Sequence, residues 1–539
     1  MMGNLCGHYN RPVNDDKPDN RRRSAVTEVY TPTRPKSPTL RENMVHKTQH
    51  RNVFQYYRIV KKLGEGSMGS VSAVKKCDYN KGLSSESLDN SNTSVLSDKT
   101  YALKSIILSR VSINFMEELR NEITILQSLD HPNIVKAYEV YESKVNIYLV
   151  LENCGGGDLY SRGPYSEKAA AKIVGKLLSA IVHMHEHGCT HRDLKYENVM
   201  FESKEMDAEI KLIDFGLSKK SKPGKSKYMT AGVGTIYTMA PEIFSGKYTS
   251  QVDLWSIGVM TFMLLSSTKP FREKSRSKTK EKILAGNFSF RAEVWENISQ
   301  ESKELVKSLI VLSPTERLTG EQALKHKWLS EEFPLSERIP DDKVMKDIRQ
   351  SLVDYGDVGL LKKMALMVIA HKSSSDEIVE LRKAFDAYDT ANNGVISLTE
   401  FKAAMNKNND TGFEDIDNVF DTLDTGKDGQ IYYTEFLAAT LEAQGRIVEE
   451  TIVDAFDRID CDDTGYISAQ NLREFLGDTL TEQKITQLMA EGDLDGNGRI
   501  TLEEFLTSFH NTQEEKRIAL RYTGYDGYDS DISSSSCDG

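Results

Sequence analysis

Cysteine is scarce: Cys6, Cys77, Cys154, Cys189, Cys461 and Cys537 are the only six in 539 residues, with no C-x-x-C and no zinc-ligand spacing. This excludes a disulfide scaffold and a zinc module, and makes a reducing compartment, the cytoplasm, the expectation. Long apolar runs are missing as well. The longest, Leu254 to Leu265, is too short for a bilayer and reads as a buried helix. No secretory signal is visible at the amino terminus. An excess of positive charge is the third absence. The formal net charge of −12 argues against a general nucleic-acid binder and suits carboxylate-rich metal loops. What remains is ordinary globular material, 39% hydrophobic and 28% charged, and too long for one core, so two to four domains are expected.

Residues 1–56 are rich in Arg, Pro, Ser, Thr and Asn without apolar periodicity and read as a disordered arm. From Tyr57 strands are predicted, Tyr57 to Leu63 and Ser70 to Lys75, followed by a polar insertion over 78–99 and a strand from Tyr101 to Ile106. Asn114 to Leu129 is helix-periodic, and helices dominate from Ser166 to Leu329. Residues 57–329 form one predicted domain and 330–375 a junction. Within the junction, Leu360 to Ala370 reads as a basic amphipathic helix. It is either a connector packed on its neighbour or a target helix for a calmodulin-like groove, and the segment that follows favours the second.

That segment, 376–511, repeats itself. Twelve-residue loops begin at Asp389, Asp424, Asp460 and Asp493, at intervals of 35, 36 and 33 residues, each with Gly at position 6 and Ile at position 8. Calcium takes six to eight oxygens, and positions 1, 3, 5, 7, 9 and 12 supply them in an EF-hand loop. The fourth loop is complete: Asp493, Asp495, Asn497, the Arg499 carbonyl, Thr501 and Glu504. The first has Asp389, Asn393, the Val395 carbonyl, Ser397 and Glu400, but Ala391 at position 3. The second has Asp424, Asp428, the Gln430 carbonyl and Glu435, but Gly426 at position 3. The third has Asp460, Asp462, Thr464, the Tyr466 carbonyl and Ser468, but Asn471 replaces the bidentate glutamate. The expected order of calcium affinity is therefore loop four, then one and two, then three. Residues 512–539 read as a disordered tail.

The predicted domain at 57–329 carries a second constellation. Gly64-Glu-Gly66-Ser-Met-Gly69-Ser-Val71, preceded by Leu63, places glycines where a side chain would keep the backbone from triphosphate oxygens. Lys104 on the next strand is the expected phosphate-binding lysine, and Glu122 on the following helix its partner, ahead of Glu117 and Glu118. His191-Arg-Asp193-Leu-Lys195-Tyr-Glu-Asn198 is far more specific. Asp193 can accept the proton of a substrate hydroxyl, Lys195 can neutralise charge on the transferring group, and Asn198 with Asp214 of Asp214-Phe-Gly216 can hold Mg2+. Ala240-Pro-Glu242 closes the segment.

In these motifs residues 57–329 resemble a eukaryotic Ser/Thr protein kinase of the calcium/calmodulin-dependent group. With the junction phrase Leu361-Lys-Lys-Met-Ala-Leu and the four loops, residues 57–511 resemble the calcium-dependent protein kinases of plants and protists. The resemblance implies an α+β chain: a bilobal protein-kinase domain followed by an all-α calmodulin-like domain of four EF-hands. It places Leu151 at the gatekeeper position, Glu152 to Cys154 in the ATP hinge, and Asp158 at the ribose. Asp253 would brace the catalytic loop, Arg317 would pair with Glu242, and Thr235 suits Ser/Thr specificity. Glu197 matches a position that selects a basic residue N-terminal to the acceptor. There are three departures: a shortened helix after Asp158, Tyr196 in place of proline, and Ala231 where a phosphorylated or acidic residue is usual.

The implied function is a calcium-activated Ser/Thr kinase using ATP, Mg2+ and Ca2+, acting as a monomer on protein substrates, with the junction obstructing the cleft until calcium is bound. The rival readings are a pseudokinase scaffold, which the intact Lys104, Asp193, Asn198 and Asp214 oppose, and a kinase with a vestigial sensor controlled by phosphorylation. Met2-Gly3-Asn4-Leu5-Cys6 resembles an acylation start, with Arg21 to Arg23 as a basic second signal. The preceding Met1 and Gly7 at the usual Ser/Thr position weigh against it, so membrane anchoring and a free arm both stand.

Overall fold

A close backbone contact shapes the first lobe. Strand β2 (Tyr57–Gly66) turns back as β3 (Gly69–Cys77), which pairs with β4 (Leu96–Ile107). A Cβ on Gly69 would lie 1.8 Å from the Ser105 carbonyl oxygen, so only glycine lets the hairpin lie this close to β4. The structure, a computed structural model, describes residues 44–49, 52–66, 69–77, 96–110, 113–220, 228–291, 293–332, 334, 339–406, 415–445, 447–476 and 481–509. The candidate acylation site at Gly3 and Cys6, most of the 78–99 insertion and the 512–539 tail lie outside them.

The sheet has the order β1-β5-β6-β4-β3-β2, with β1 spanning His46–Gln49, β5 Ala137–Glu142 and β6 Asn146–Glu152. Strand β1 places residues 46–49, within the segment 1–56 that reads as a disordered arm, at the edge of the sheet. It pairs in parallel with β5, from His46 opposite Glu139 to Gln49 opposite Glu142, and is followed by the short helix α1 (Val53–Tyr56), capped by Asn52. β1 has no apolar alternation because what it completes is a backbone ladder at a sheet edge.

Helix α2 (Ile113–Ser128) lies between β4 and β5 in the chain, and the second lobe is built on α3 (Glu167–Glu186) and α4 (Gln251–Ser266). The apolar run Leu254 to Leu265 is the buried helix expected of it, with Trp255 stacked on Phe271 at 5.6 Å. Among the described residues no helix is long and apolar enough to cross a membrane. Helices α5 (Arg276–Leu284), α6 (Gln300–Leu309), α7 (Gly320–Leu324) and α8 (Lys327–Glu332) complete the lobe. Arg317, fully buried, pairs with Glu242 at 2.7 Å and ties the end of the activation segment to this helical floor.

The junction forms α9 (Asp342–Asp354) and α10 (Leu360–Lys372). The EF-hands follow as α11 (Val379–Tyr388) with α12 (Leu398–Met405), α13 (Ile416–Leu423) with α14 (Tyr433–Thr440), α15 (Glu449–Ile459) with α16 (Ala469–Leu476), and α17 (Glu482–Gly492) with α18 (Leu502–Thr507). The position-8 isoleucines pair across short antiparallel bridges, Ile396 with Ile431 and Ile467 with Ile500, which couples the loops two by two.

Helix α10 departs from the amphipathic pattern expected of it. Leu361, Met364, Leu366, Met367, Val368 and Ile369 are all buried, as is Lys362, whose Nζ reaches Glu442 at 2.8 Å. The helix is gripped by α14, α15 and α17, and a helix enclosed on several sides needs no polar face.

The sensor in turn lies against the kinase. Asp130 accepts hydrogen bonds from the Thr434 amide at 2.9 Å and hydroxyl at 2.8 Å, and Lys76 pairs with Asp454 at 2.5 Å. Met44, 3% exposed, enters the apolar core of the sensor, while the adjacent Val45 packs in the kinase core. The Arg458 guanidinium donates to the Met44 carbonyl. The residues just before β1 therefore bridge the two cores.

Candidate active site and calcium loops

The residues singled out in the kinase domain converge between the lobes. Lys104 on β4 meets Glu122 on α2 at 2.6 Å and lies 3.9 Å from Asp214. Burial opposes the ammonium charge, but the two carboxylates outweigh it and hold the Lys104 pKa above its ordinary value. Glu117 and Glu118 have no part in this pair. Asp193, 6% exposed, accepts from Lys195 Nζ at 2.5 Å and from the Thr235 hydroxyl at 2.7 Å, and Asn198 Nδ2 donates to its main-chain carbonyl at 2.9 Å.

Two residues of the catalytic region adopt left-handed backbone, Arg192 (φ 71°) and Asp214 (φ 65°). Such conformations need support from their surroundings. For Arg192 it comes from Asp253, whose two carboxylate oxygens accept from the His191 and Arg192 amides at 2.9 Å each, and which also bonds His185 at 2.8 Å.

Leu151 and Glu152 are the last residues of β6. Glu152 is bonded by Lys211 at 3.0 Å and by the Lys136 amide at 3.1 Å, and burial pushes the Cys154 thiol well up. Leu63, Gly64 and Gly66 line the exposed end of β2, and Val71 lies opposite Lys104 in the β3–β4 register. After Asp158 there is no shortened helix but a turn, in which the Asp158 carboxylate accepts from the Ser161 amide at 3.0 Å. This leaves the Tyr160 ring half exposed, packed at a tilt against Tyr196, the residue that replaces proline, with ring centroids 4.9 Å apart. Ala231 carries no anion. Its carbonyl accepts from the Tyr248 hydroxyl at 2.5 Å, and Arg192 Nε donates to the Leu217 carbonyl at 2.6 Å.

The calcium loops differ as their sequences do. In all four the position-6 glycine has a left-handed backbone, φ 79–83°. Among the described residues the only group of three or more His, Cys, Asp or Glu side chains close enough to share a metal ion is Asp493, Asp495 and Glu504 of loop four, with ligand oxygens within 4.8 Å of one another. Glu504 is held by the Thr501 amide and hydroxyl at 2.8 Å each, and Asn497 donates to Asp495 at 2.7 Å. In loop one Asp389 is buried and Glu400 accepts from the Ala391 amide at 2.8 Å. In loop two Asp424 accepts from the Gly429 amide at 2.9 Å, and Glu435 from the Thr425 amide at 3.1 Å. In loop three Asn471 turns its amide nitrogen on Asp462 at 2.9 Å, so a donor N–H replaces an oxygen at position 12.

Comparison with known proteins matches this geometry. Residues 57–329 fit the protein kinase domain family, and 378–441 and 449–509 the EF-hand domain pair family. Calcium-dependent protein kinase 5 of Solanum tuberosum is 36% identical over 469 residues, 86% of this chain and 83% of the relative. Calcium-dependent protein kinase 15 of Oryza sativa subsp. japonica is 35% identical over 426 residues, 77% of this chain and 78% of the relative. The chain belongs to the calcium-dependent protein kinases. As a family member it is a Ser/Thr protein kinase that uses ATP and a divalent metal, acts on protein substrates, and carries EF-hands for calcium.

Several residues of this kinase that matter to the arrangement gave no local signal. Asp130 and Thr434 hold sensor to kinase, and His131 lies against the sensor's first loop. A Cβ on Gly394 of loop one would come within 2.1 Å of His131. Tyr237 bonds the Glu197 carboxylate at 2.7 Å.

The convergence in loop four sets a prediction. Glu504→Gln removes one charge from the only complete loop, and Asn471 leaves its partner loop unable to compensate. Half-activation should move to about tenfold higher free calcium, more than with Glu400→Gln or Glu435→Gln. Activity curves at fixed magnesium test the ranking, and a larger shift from either of the other two variants overturns it.

Proposed function

We propose that calcium switches phosphoryl transfer in this kinase by deciding where the junction helix rests. One observation carries the reading. Helix α10 is enclosed by the sensor, and its bonds to the kinase go to the hinge side of the sheet, away from the catalytic residues. Lys136 Nζ reaches the Ala370 and His371 carbonyls at 3.4 Å each, and His371 Nε2 bonds the Ala137 carbonyl at 2.9 Å. The proposal takes this arrangement as the released state. With calcium absent the EF-hands close, α10 loses its enclosure, and its apolar residues seek cover against the substrate cleft.

In the released state Lys104, held by Glu122, takes the phosphates under the glycine loop. Asp193, oriented by Lys195 and Thr235, accepts the proton of the substrate Ser or Thr hydroxyl. Asn198 and Asp214 would hold Mg2+, which supplies charge neutralisation at the phosphates when bound. Glu197 favours substrates with a basic residue N-terminal to the acceptor. The reading takes the kinase as a monomer; the candidate acylation site at Gly3 and Cys6, where an anchor and a free arm both stand, lies outside the described residues.

The test is transfer of radiolabelled phosphate from ATP to a peptide library over a range of free calcium. Transfer that rises with calcium and favours an upstream basic residue is expected. No transfer to any peptide would identify a pseudokinase scaffold. Transfer indifferent to calcium would identify a vestigial sensor.

A further inference from the structure

Loops one and four hold their position-5 amide in different ways. In loop four the Asn497 side-chain oxygen accepts from the Arg499 amide at 2.9 Å, and its nitrogen donates to the position-3 carboxylate, Asp495, at 2.7 Å. The carboxylate thereby decides which end of the amide is left for an ion. Loop one has Ala391 at position 3 and cannot do this from within. Its Asn393 oxygen accepts from the Val395 amide at 3.4 Å, while its side chain donates to a carboxylate outside the sensor. That carboxylate is Glu186, the last residue of kinase helix α3. Loop two needs no such help. Its position-5 residue is itself a carboxylate, Asp428, held by the Tyr432 hydroxyl of the same loop at 3.1 Å.

Two further observations mark Glu186. A carboxylate is disfavoured at the C-terminal end of a helix, where the last turn carries partial negative charge. Among the described residues no cation offsets Glu186, and its charged neighbour is another carboxylate, Glu321 of α7. Loop one is also fixed against the kinase at this end of α3. A Cβ on Gly394 would come within 2.1 Å of the His131 ring, and His131 is itself bonded to the Ser179 hydroxyl of α3 at 2.9 Å. The donors left in loop one are Asp389, Asn393, the Val395 carbonyl, Ser397 and Glu400. All offer oxygen, which suits calcium.

We propose that the calcium site of loop one is shared between the two domains, with Glu186 of the kinase acting in place of the missing position-3 carboxylate. Glu186 is a positioning residue. It holds the Asn393 nitrogen, which leaves the oxygen for calcium, and it adds a negative charge to those of Asp389 and Glu400. A group one hydrogen bond beyond the ligands sets affinity by fixing their orientation. The site is complete only while sensor and kinase are docked. Calcium at loop one therefore favours docking, and docking raises affinity at loop one by the same factor. The inference rests on the reading above that the docked arrangement is the calcium-loaded one.

The experiment is calorimetric calcium titration of the full chain at fixed magnesium, with phosphate transfer to a peptide recorded on the same samples. Glu400→Gln, which weakens loop one from within, identifies the heat that belongs to it. Glu186→Ala should weaken that site about tenfold and leave the other sites unchanged. Glu186→Gln, which keeps an acceptor oxygen without the charge, should fall between. Glu186 is exposed, so neither change threatens the fold. In the Glu400→Gln chain, Glu186→Ala should add nothing. In an Ala391→Asp chain, which restores the position-3 carboxylate, it should also have little effect. Wild-type affinity at loop one in Glu186→Ala overturns the inference. A loss that persists undiminished in the Ala391→Asp or Glu400→Gln chain overturns it too, because that loss reports undocking and not a shared site. So does a wild-type loop one that takes no calcium. Each of these outcomes, with transfer still raised by calcium, leaves the switch reading intact. Transfer indifferent to calcium sinks the switch reading, while the titration still decides this one.

Discussion

Asp193→Ala is expected to lower turnover by about a thousandfold or more, while calcium still binds and the chain stays folded. The size follows from what phosphoryl transfer demands. The protein does little covalent chemistry, so its contribution is positioning and charge. Asp193 sits where three groups meet: Lys195 at 2.5 Å, Thr235 at 2.7 Å, and Asn198 on its main-chain carbonyl at 2.9 Å. Removing the carboxylate leaves Lys195 without the anion that places it and the acceptor hydroxyl without a proton acceptor. Fold should survive, because Arg192 and His191 are held from below by Asp253, not by Asp193. Lys104→Met should cause a loss of similar kind by a different route, releasing the phosphates and leaving Glu122, 3% exposed, without its cation. Single-turnover transfer measures the chemistry and circular dichroism the fold. Turnover within a few-fold of the wild type in a well-folded Asp193→Ala chain would remove Asp193 from the centre of the mechanism.

The parts that could be read from the sequence are those whose partners lie close along the chain. An EF-hand loop gathers its ligands within twelve residues, so the gap at Ala391, the gap at Gly426 and the amide at Asn471 are all visible before folding. The segment from His191 to Asn198 is equally compact, and Asp214 needs only one strand to return to it. The parts that could not be read depend on distant partners. Asp130 and Thr434 meet across 304 positions, and nothing local marks either as an interface residue. Strand β1 completes an edge by backbone bonding, which leaves no periodicity to detect. Helix α10 reads as amphipathic because its two lysines suggest a wet face, yet Lys362 is buried with Glu442. Its true environment is set by three helices that arrive later in the chain. The turn after Asp158 escaped for a different reason: its closing bond is local, from the Ser161 amide to the Asp158 carboxylate, but the family pattern continues a helix there.

That burial of α10 leads to the second large effect. A chain ending after Glu332 should phosphorylate peptides at full rate without calcium, and a chain ending after Lys372 should be inhibited and indifferent to calcium. The kinase domain of the shorter chain keeps its own core, since Trp328 and Leu329 of α8 pack within it. The longer chain carries α10 but none of α14, α15 or α17. Leu361, Met364, Leu366, Met367 and Ile369, all buried against the sensor in the full chain, then face water. Exposing four or five large apolar side chains costs about 1.5–3 kcal/mol each, which is ample to drive the helix onto whatever apolar surface the kinase offers. The basic Lys362 and Lys363 would steer it towards an acidic surface, and Glu197 and Asp193 mark the substrate cleft as one. Adding the separately produced sensor with calcium should relieve the inhibition by recapturing α10, provided the sensor folds alone, which its circular dichroism would report. Equal calcium-independent activity of the two truncated chains would show that the junction does not inhibit, and that calcium acts instead through the contacts of Asp130, Lys76 and Met44 with the sensor.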